Sequence, residues 1–183
     1  MVSPADVDYS QKEFVEKYHF DNVKSIIEGG KERYHSVAKG LNAVFCDYVF
    51  IHDGARPVIT EEILDRAFAC VREHGACVVG MPVKDTIKIA DENGNIAATP
   101  NRNLLWMVQT PQVFAYPLIK KAYEELIMRE QELTEKGMVI TDDAMVVEAL
   151  TGHSVRLTAG SYENIKITTP EDIQIAEKFL NNY

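Results

Sequence analysis

The sequence predicts a layered α/β fold whose sheet is mainly parallel. As far as Pro82, helical patterns alternate with short apolar runs, which is the order of elements that such folds require. The apolar run Ala76–Met81 contains no alternating polar residues, as expected of a parallel strand that is buried on both faces. A length of 183 residues fits one domain. We therefore expect residues 1–183 to form a single α/β domain.

The elements up to Met81 follow from hydrophobic periodicity and from helix-boundary residues. Thr60 is a favoured residue before a helix, and Gly75 is a favoured residue after one. The predicted elements are, in order, a helix within Ser10–Tyr18, a strand at Val23–Ile27, a helix from about Arg33 to Leu41, a strand at Tyr48–Ile51, a helix between Thr60 and Gly75, and a strand at Ala76–Met81.

A β-hairpin interrupts this alternation after Pro82. Thr86–Ala90 alternates polar and apolar residues, the Asn93-Gly94 pair is typical of a tight turn, and Asn95–Thr99 provides the return. An isolated two-stranded hairpin is marginally stable in water and needs a packing partner. We expect an arm over about residues 84–104 that reaches a second subunit, with an ordinary surface flap as the alternative.

The last third of the chain returns to helices and a strand. The pattern predicts a long helix at Pro117–Lys136 that Gly137 ends, a helix from Thr141 as N-cap to Leu150, a strand at Ser154–Thr158 and a final helix that begins at Thr169-Pro170.

Composition excludes several classes of protein. A net charge of -9 argues against broad binding to nucleic acids or anionic membranes. No run approaches the ~20 apolar residues of a membrane helix. Cys46, Cys70 and Cys77 lack metal-site or redox-motif spacing, so we expect reduced core cysteines in a cytoplasmic protein.

The segment His52-Asp53-Gly54-Ala55-Arg56-Pro57 carries the strongest chemical signal. It follows the predicted strand Tyr48–Ile51, and open α/β sheets bind ligands at the carboxyl ends of their strands. Asp53 is suited to hold a metal or a sugar hydroxyl, and Arg56 is suited to hold a phosphate. The alternative is that Asp53 and Arg56 form a surface ion pair.

Three weaker segments also carry polar groups that a ligand site needs. Gly29-Gly30 lies between a predicted strand and a predicted helix, where the backbone lets a ligand approach closely. Gln109-Thr110-Pro111-Gln112 is a polar stretch inside an apolar one, and packing alone does not explain it. Lys166 lies in a short strand-like run before the last helix and faces either a pocket or solvent.

Further motifs place these segments in a fixed order over nearly the whole chain. The set is Gly29-Gly30 with Arg33 and Ser36-Val37, His52 to Pro57, Pro82-Val83-Lys84-Asp85-Thr86-Ile87-Lys88, Leu105-Trp106 with Gln109 to Gln112, Thr141-Asp142, and Asn164-Ile165-Lys166 with Pro170-Glu171-Asp172. In this set and order the chain resembles the 2-C-methyl-D-erythritol 4-phosphate cytidylyltransferase family.

The resemblance implies a Rossmann-like nucleotidyltransferase fold, with helices on both faces of the sheet and a protruding β-arm. It implies the reaction of CTP with methylerythritol phosphate to give the CDP-alcohol and pyrophosphate, in non-mevalonate isoprenoid biosynthesis. Mg²⁺ is the implied cofactor, with no ligands assigned. A homodimer joined through the arm is the implied assembly.

The resemblance also implies roles for individual residues. The implied nucleotide-binding residues are Gly30, Lys31, Ser36 and Gly54. The implied substrate-binding residues are Asp53, Arg56, Thr86 and Thr110, and the implied catalytic residues are Arg102 and Lys166. Thr86 and Arg102, on or beside the arm, would enter the active site of the partner subunit.

The chain departs from the family pattern at its start. The family begins with a strand, a loop of the type Ala-Ala-Gly-x-Gly-x-Arg and a Lys-Gln pair, whereas the match here starts at about Val2. We expect the chain as written to lack this triphosphate cradle and to show little turnover unless that segment is supplied. Two alternatives stay open: a ribitol-5-phosphate cytidylyltransferase and a non-catalytic dimerising remnant.

Overall fold

The computed structural model describes residues 1–181, which form seven α-helices and six β-strands. The helices are α1 Val7–Ser10, α2 Arg33–Asn42, α3 Glu61–His74, α4 Tyr116–Met128, α5 Glu130–Glu135, α6 Asp143–Thr151 and α7 Pro170–Leu180. The strands are β1 Tyr48–Ile51, β2 Ala76–Pro82, β3 Ile89–Ala90, β4 Ile96–Ala98, β5 Trp106–Ala115 and β6 Arg156–Ala159. No helix within residues 1–181 is both long enough and apolar enough to cross a membrane.

The chain divides into two compact units. The first unit comprises Met1–Val49 and Ala115–Ser154, and the second comprises Phe50–Phe114 and the chain from Val155 onward. The assignment of residues 1–183 to a single domain stays a prediction.

Helix α4 organises the core of the first unit. Ile119, Tyr123 and Leu126 repeat at helical spacing and are buried, so one apolar face of α4 turns inward. Helices α2 and α6 both pack against α4. Val37 and Leu41 are the buried residues of α2.

An ion pair between the partly exposed Arg33 and the buried Asp143 joins α2 to α6 within this unit. Arg33 donates from Nη1 and Nη2 to the two carboxylate oxygens of Asp143, at 2.9 and 2.7 Å. Tyr123 donates its hydroxyl to Asp143 Oδ1, and the Asp143 side chain is fully buried. Burial, followed by the Asp143 charge, raises the pKa of Tyr123 far above its usual range. Arg33, Tyr123 and Asp143 therefore connect α2, α4 and α6 to one another.

A four-stranded sheet has the strand order β1-β5-β2-β6, and its strands β2 and β6 lie in the second unit. β2 runs parallel to β6 and antiparallel to β5. Helix α3 covers β2 and β6 with its buried residues Ile63, Ala67 and Val71. Gly75 ends α3 in the left-handed region at φ 75°, where glycine has no steric penalty. The α/β fold class is confirmed, with β5 as an antiparallel strand.

The predicted hairpin forms as β3 and β4, a separate two-stranded sheet. Asp91 Oδ1 accepts hydrogen bonds from the amides of Asn93 and Asn95, and Gly94 has a φ of 82°. These contacts close the turn. The strand residues Ile89 and Ile96 are 52% and 66% exposed, so the hairpin buries little apolar surface in this chain.

The structure corrects several predicted elements. Val23–Ile27 is not a strand. Within residues 1–181, its end pairs with Val2 alone, through the bridge between Val2 and Glu28. A single bridge does not extend into a paired strand. The predicted helix Pro117–Lys136 breaks at Arg129 into α4 and α5. The N-cap of α6 is Asp142, not Thr141, because Asp142 accepts from the Met145 amide at 2.9 Å.

Two further differences concern the polar stretch Gln109–Gln112 and the cysteine Cys46. The segment around Gln109-Thr110-Pro111-Gln112 belongs to β5, a ten-residue strand that was not predicted. Cys46 is exposed rather than a core residue, whereas Cys77 is buried.

Candidate active site

One acidic and two basic side chains meet beyond the end of β1. That strand ends at Ile51, and the loop after it carries Asp53 and Arg56. Lys166, from the loop after β6, donates from Nζ to Asp53 Oδ2 at 3.0 Å. Arg56 Nε lies 4.0 Å from the same oxygen. These three residues are named here the Asp53 cluster. The ion pair between Asp53 and Arg56, which was the alternative prediction, is present, but its distance of 4.0 Å is long.

Arg56 is largely buried and incompletely paired. Its side chain is 12% exposed, against 46% for Lys166. Nη1 donates to the Asn164 carbonyl oxygen at 2.9 Å, while the buried Nε has no hydrogen-bond partner within residues 1–181. Burial lowers the pKa of Arg56 and Asp53 opposes that shift, so the guanidinium stays charged. A buried cationic N–H without a partner is suited to an anionic oxygen.

A chain of hydrogen bonds from β5 supports this loop. Asp53 donates its amide to Thr110 Oγ1 at 3.0 Å. The Thr110 hydroxyl lies 3.1 Å from His52 Nδ1, and His52 Nε2 lies 3.0 Å from the Arg56 carbonyl oxygen. Thr110 is 5% exposed. Thr110 therefore lies at the cluster, where its hydroxyl holds the backbone of the loop.

Asn164 fixes the loop after β6 to β5. Its Nδ2 donates to Gln109 Oε1 at 3.2 Å and to the Thr110 carbonyl oxygen at 3.0 Å. Gln109 in turn donates from Nε2 to the Ser161 carbonyl oxygen at 2.7 Å. Asn164 is fully buried. These bonds hold the segment that presents Lys166 to Asp53.

His52, Gln109 and Asn164 had no role assigned to them from the sequence. The polar stretch inside an apolar run was a signal for Gln109, and the position of His52 next to Asp53 was a signal for His52. Asn164 was part of a family motif, but no local pattern indicated its role, because its contacts join residues that are more than fifty positions apart.

The arm residues Thr86 and Arg102 do not join the Asp53 cluster. Both are exposed, and Arg102 donates from Nη1 to the Lys84 carbonyl oxygen at 2.8 Å, at the base of the arm. Lys84 Nζ lies 3.4 Å from the centre of the Tyr162 ring, and Tyr162 donates its hydroxyl to the Pro82 carbonyl oxygen at 2.8 Å. These contacts fix the base of the arm, whereas Thr86 lies outside any helix or strand.

The predicted nucleotide loop lies in the first unit, before α2. Gly30 donates its amide to Ser36 Oγ at 2.9 Å. A Cβ atom on Gly30 would lie 2.3 Å from His35 Cβ, so this position requires glycine. Lys31 is exposed. Gly54 belongs to the second unit, and a Cβ atom there would meet no atom within 4 Å; packing therefore does not require glycine at Gly54.

The Asp53 cluster does not suit a metal ion of its own. Residues 1–181 contain no group of three or more His, Cys, Asp or Glu side chains arranged to hold a metal. Asp53 is the only carboxylate of the cluster, and two cations already contact it. Divalent cations such as Mg²⁺ need several oxygen ligands. The cluster instead suits an anion that also carries hydroxyl groups.

Comparison with curated proteins finds close relatives. The chain is 48% identical over 182 residues to the 2-C-methyl-D-erythritol 4-phosphate cytidylyltransferase of Alkaliphilus oremlandii, covering 98% of this chain and 74% of that protein. It is 46% identical over 182 residues to the protein of the same name from Clostridioides difficile, covering 98% of this chain and 73% of that protein.

Solved structures and a family model agree with these relatives. The 4-diphosphocytidyl-2C-methyl-D-erythritol synthase of Anaerococcus prevotii matches with a TM-score of 0.85 and 33% identity, over 99% of this chain and 80% of that one. The cytidylyltransferase of Thermus thermophilus matches with a TM-score of 0.71 and 33% identity, over 85% and 72%. The model of the family described as IspD, 2-C-methyl-D-erythritol 4-phosphate cytidylyltransferase, matches residues 1–182. The chain belongs to this family of nucleotidyltransferase enzymes.

Proposed function

We propose that the Asp53 cluster binds the phosphate of 2-C-methyl-D-erythritol 4-phosphate for transfer of CMP from CTP. The observation that carries this proposal is the buried Arg56 Nε, which has no hydrogen-bond partner among residues 1–181. It lies beside the Asp53 carboxylate and near a second cation, the more exposed Lys166. A phosphate dianion offers acceptor oxygens to both cations. The Asp53 carboxylate, released from Lys166, accepts hydrogen bonds from the polyol hydroxyls.

The chemistry is a displacement at phosphorus. A phosphate oxygen of the acceptor forms a bond to the α-phosphorus of CTP, the bond from that phosphorus to the bridging α–β oxygen breaks, and pyrophosphate leaves. Such reactions depend mainly on positioning and on neutralising charge. Arg56, held by the Asn164 carbonyl oxygen, is the fixed part of the acceptor site. Lys166 is the adjustable part, because its side chain is nearly half exposed and can move to contact the phosphate.

For the nucleotide we propose the loop before α2. Gly30, Lys31 and Ser36 are the residues assigned to the base. Gly54, in the second unit, stays a separate prediction as a nucleotide-binding residue. Glycine is required at Gly30 by the close approach of His35, and a glycine leaves the loop backbone accessible to a ligand. Ser36 shapes this loop by accepting the Gly30 amide.

We propose a homodimer in which the arm completes the partner's site with Thr86 and Arg102. The supporting observation is the apolar surface that the arm leaves exposed. Ile89 and Ile96 on the hairpin and Leu104 at its base are 52%, 66% and 77% exposed. A two-stranded hairpin needs packing to be stable, and a second copy of the chain supplies it.

Mg²⁺ stays a prediction, and we propose it as the companion of the nucleotide rather than of the Asp53 cluster. Proteins usually bind Mg²⁺ through substrate phosphates and one or two carboxylates, where it neutralises phosphate charge. The proposed roles of Asp53, Arg56 and Lys166 do not depend on Mg²⁺. A cytoplasmic location is likewise a proposal.

Calorimetric titration of the 183-residue chain tests the acceptor site. We expect 2-C-methyl-D-erythritol 4-phosphate to bind, and ribitol 5-phosphate to bind more weakly, because the relatives reported above carry the methylerythritol name. Arg56→Ala should lower the affinity at least about thirtyfold, while Lys178→Ala, a change to an exposed lysine of α7, should not alter it. Equal affinity of wild type and Arg56→Ala would overturn the assignment, and tighter ribitol 5-phosphate binding would overturn the choice of substrate.

A further inference from the structure

The His52 ring contacts both the loop of the Asp53 cluster and β5. Its Nε2 lies 3.0 Å from the Arg56 carbonyl oxygen, and its Nδ1 lies 3.1 Å from the Thr110 hydroxyl. A carbonyl oxygen only accepts hydrogen bonds, so Nε2 carries a hydrogen. In neutral His52 the second nitrogen then has none, and Thr110 must donate its hydroxyl hydrogen to Nδ1.

The Thr110 hydroxyl is therefore committed as a donor while His52 is neutral. A hydroxyl has one hydrogen and two acceptor positions. The hydrogen points to His52 Nδ1, and one acceptor position takes the Asp53 amide at 3.0 Å. In this state Thr110 has no hydrogen to offer a phosphate oxygen, which itself can only accept.

Protonation of His52 reverses one hydrogen bond and preserves the others. The charged ring donates from both nitrogens, so Nδ1 donates to Thr110 while Nε2 still donates to the Arg56 carbonyl oxygen. Thr110 then accepts from Nδ1 and from the Asp53 amide with its two lone pairs. Its own hydrogen is released and can turn towards a bound ligand.

We propose that His52 is a positioning residue whose charge decides whether Thr110 can donate a hydrogen bond to the substrate phosphate. This inference rests on the proposed binding of a polyol phosphate at the Asp53 cluster. His52 acts through Thr110 and needs no contact with the reacting atoms.

The charges around His52 couple its protonation to binding. Asp53 and Arg56 lie on its own loop, Lys166 lies on the loop after β6, and Thr110, its contact on β5, is uncharged. A bound phosphate dianion favours a positive charge close to it, so phosphate binding and protonation of His52 favour each other. Histidine is the side chain whose charge changes between pH 5 and 8.

Nitrogen NMR of the ligand-free chain tests the direction of the hydrogen bond. In ¹⁵N-histidine-labelled protein at alkaline pH, we expect His52 to be locked with hydrogen on Nε2 and a bare Nδ1. His19, on the exposed N-terminal segment, provides a reference in the same spectrum. A hydrogen on His52 Nδ1, or the averaged signals of an unrestrained ring, would overturn the proposal.

Calorimetry with 2-C-methyl-D-erythritol 4-phosphate tests the link to binding. Between about pH 8 and pH 6, the affinity of the wild type should rise about tenfold more than that of Thr110→Val, which is the gain from one hydrogen bond to a charged group. The ligand's own titration is common to both proteins and cancels in this ratio. Thr110→Ser should restore the gain.

A variant that cannot titrate separates this role from simple loop support. The amide oxygen of His52→Asn can accept from Thr110 but does not become charged, so the folded variant should lack the extra gain at pH 6. An equal rise in the wild type and Thr110→Val would overturn the inference while leaving the proposed function intact. No binding at either pH would overturn the proposed function, and the NMR result would still decide the hydrogen-bond direction.

Discussion

Two arginine–aspartate pairs in this chain differ in how completely they are satisfied. Arg33 binds both oxygens of Asp143 at 2.9 and 2.7 Å, and Tyr123 adds a third donor to that carboxylate. Arg56 only approaches Asp53, at 4.0 Å. Its buried Nε has no hydrogen-bond partner in the part of the chain that the structure describes, whereas Asp53 accepts a hydrogen bond from the more exposed Lys166.

The difference distinguishes a structural ion pair from a binding site. A buried charge is stable when its partners satisfy it fully, as at Asp143. A buried cation with a donor left over, as at Arg56, keeps part of its desolvation cost until an anion arrives. Incomplete pairing, rather than the mere presence of Asp and Arg, therefore marks the acceptor site.

The largest expected effect is on stability, at the complete pair. Arg33→Ala leaves the fully buried Asp143 carboxylate with its tyrosine partner alone. We expect the free energy of unfolding to fall by about 3 kcal/mol, measured by urea denaturation. Arg129→Ala, which removes ion pairs to Glu125 and Glu132 on the surface, is the control and should change stability by about 1 kcal/mol or less. Equal losses in the two variants would refute a structural role for the Arg33 pair.

The second effect is on binding, at the incomplete pair. Arg56→Ala removes the fixed cation, and we expect the affinity for 2-C-methyl-D-erythritol 4-phosphate to fall at least about thirtyfold, since hydrogen bonds to charged groups are the strong ones. The free energy of unfolding should fall by less than in Arg33→Ala. If Arg56→Ala proved the more destabilising of the two, the contrast between the pairs would be wrong.

Lys166→Ala should give a smaller effect. Because Lys166 is 46% exposed, we expect about a tenfold loss of affinity and a change in unfolding free energy within about 0.5 kcal/mol. Lys166→Arg tests whether a point charge suffices, and partial recovery is expected. Full affinity in the alanine variant would remove Lys166 from the acceptor site.

The smallest effect concerns the end of the loop that carries Lys166. The Asp172 carboxylate accepts from the Thr168 and Thr169 amides, and these bonds lower its pKa below the usual value. Because the folded pKa is depressed, its stabilisation is present above the unfolded value of about 3.9 and is lost as pH falls through the lower folded value.

Denaturation at several pH values therefore distinguishes Asp172 from its neutral variant. The stability advantage of the wild type over Asp172→Asn should be constant near neutrality and shrink towards acid pH. An advantage that grew on acidification would contradict the capping role.

Helices and buried strands were predictable where local pattern and boundary residues agree. The bounds of β1 match the prediction, and α3 lies between Thr60 and Gly75 as expected. The strand β5 was missed because Pro111 and its polar neighbours contradict local strand rules. Val23–Ile27 was predicted as a strand from apolar residues alone, yet a strand also needs a partner along its length, and its end pairs only with Val2.

The candidate site was predictable in its charged residues but not in its supports. Asp53 and Arg56 stood out as charges after an apolar run, and Lys166 as a charge within a short strand-like run. The structure brings the three together. His52 and Asn164 act through hydrogen bonds to β5 across more than fifty residues of sequence. No single-sequence pattern reports such a contact, because it arises only when the strands are ordered in the sheet.

The most direct test observes the guanidinium groups themselves. In a chain labelled with ¹⁵N-arginine, addition of 2-C-methyl-D-erythritol 4-phosphate should shift the Arg56 Nε–H signal and slow its exchange with water, because the unpartnered donor gains a phosphate oxygen. The Arg33 signal should not move, since that guanidinium is already bound by Asp143. An unchanged Arg56 signal at saturating ligand would contradict the assignment of the acceptor site.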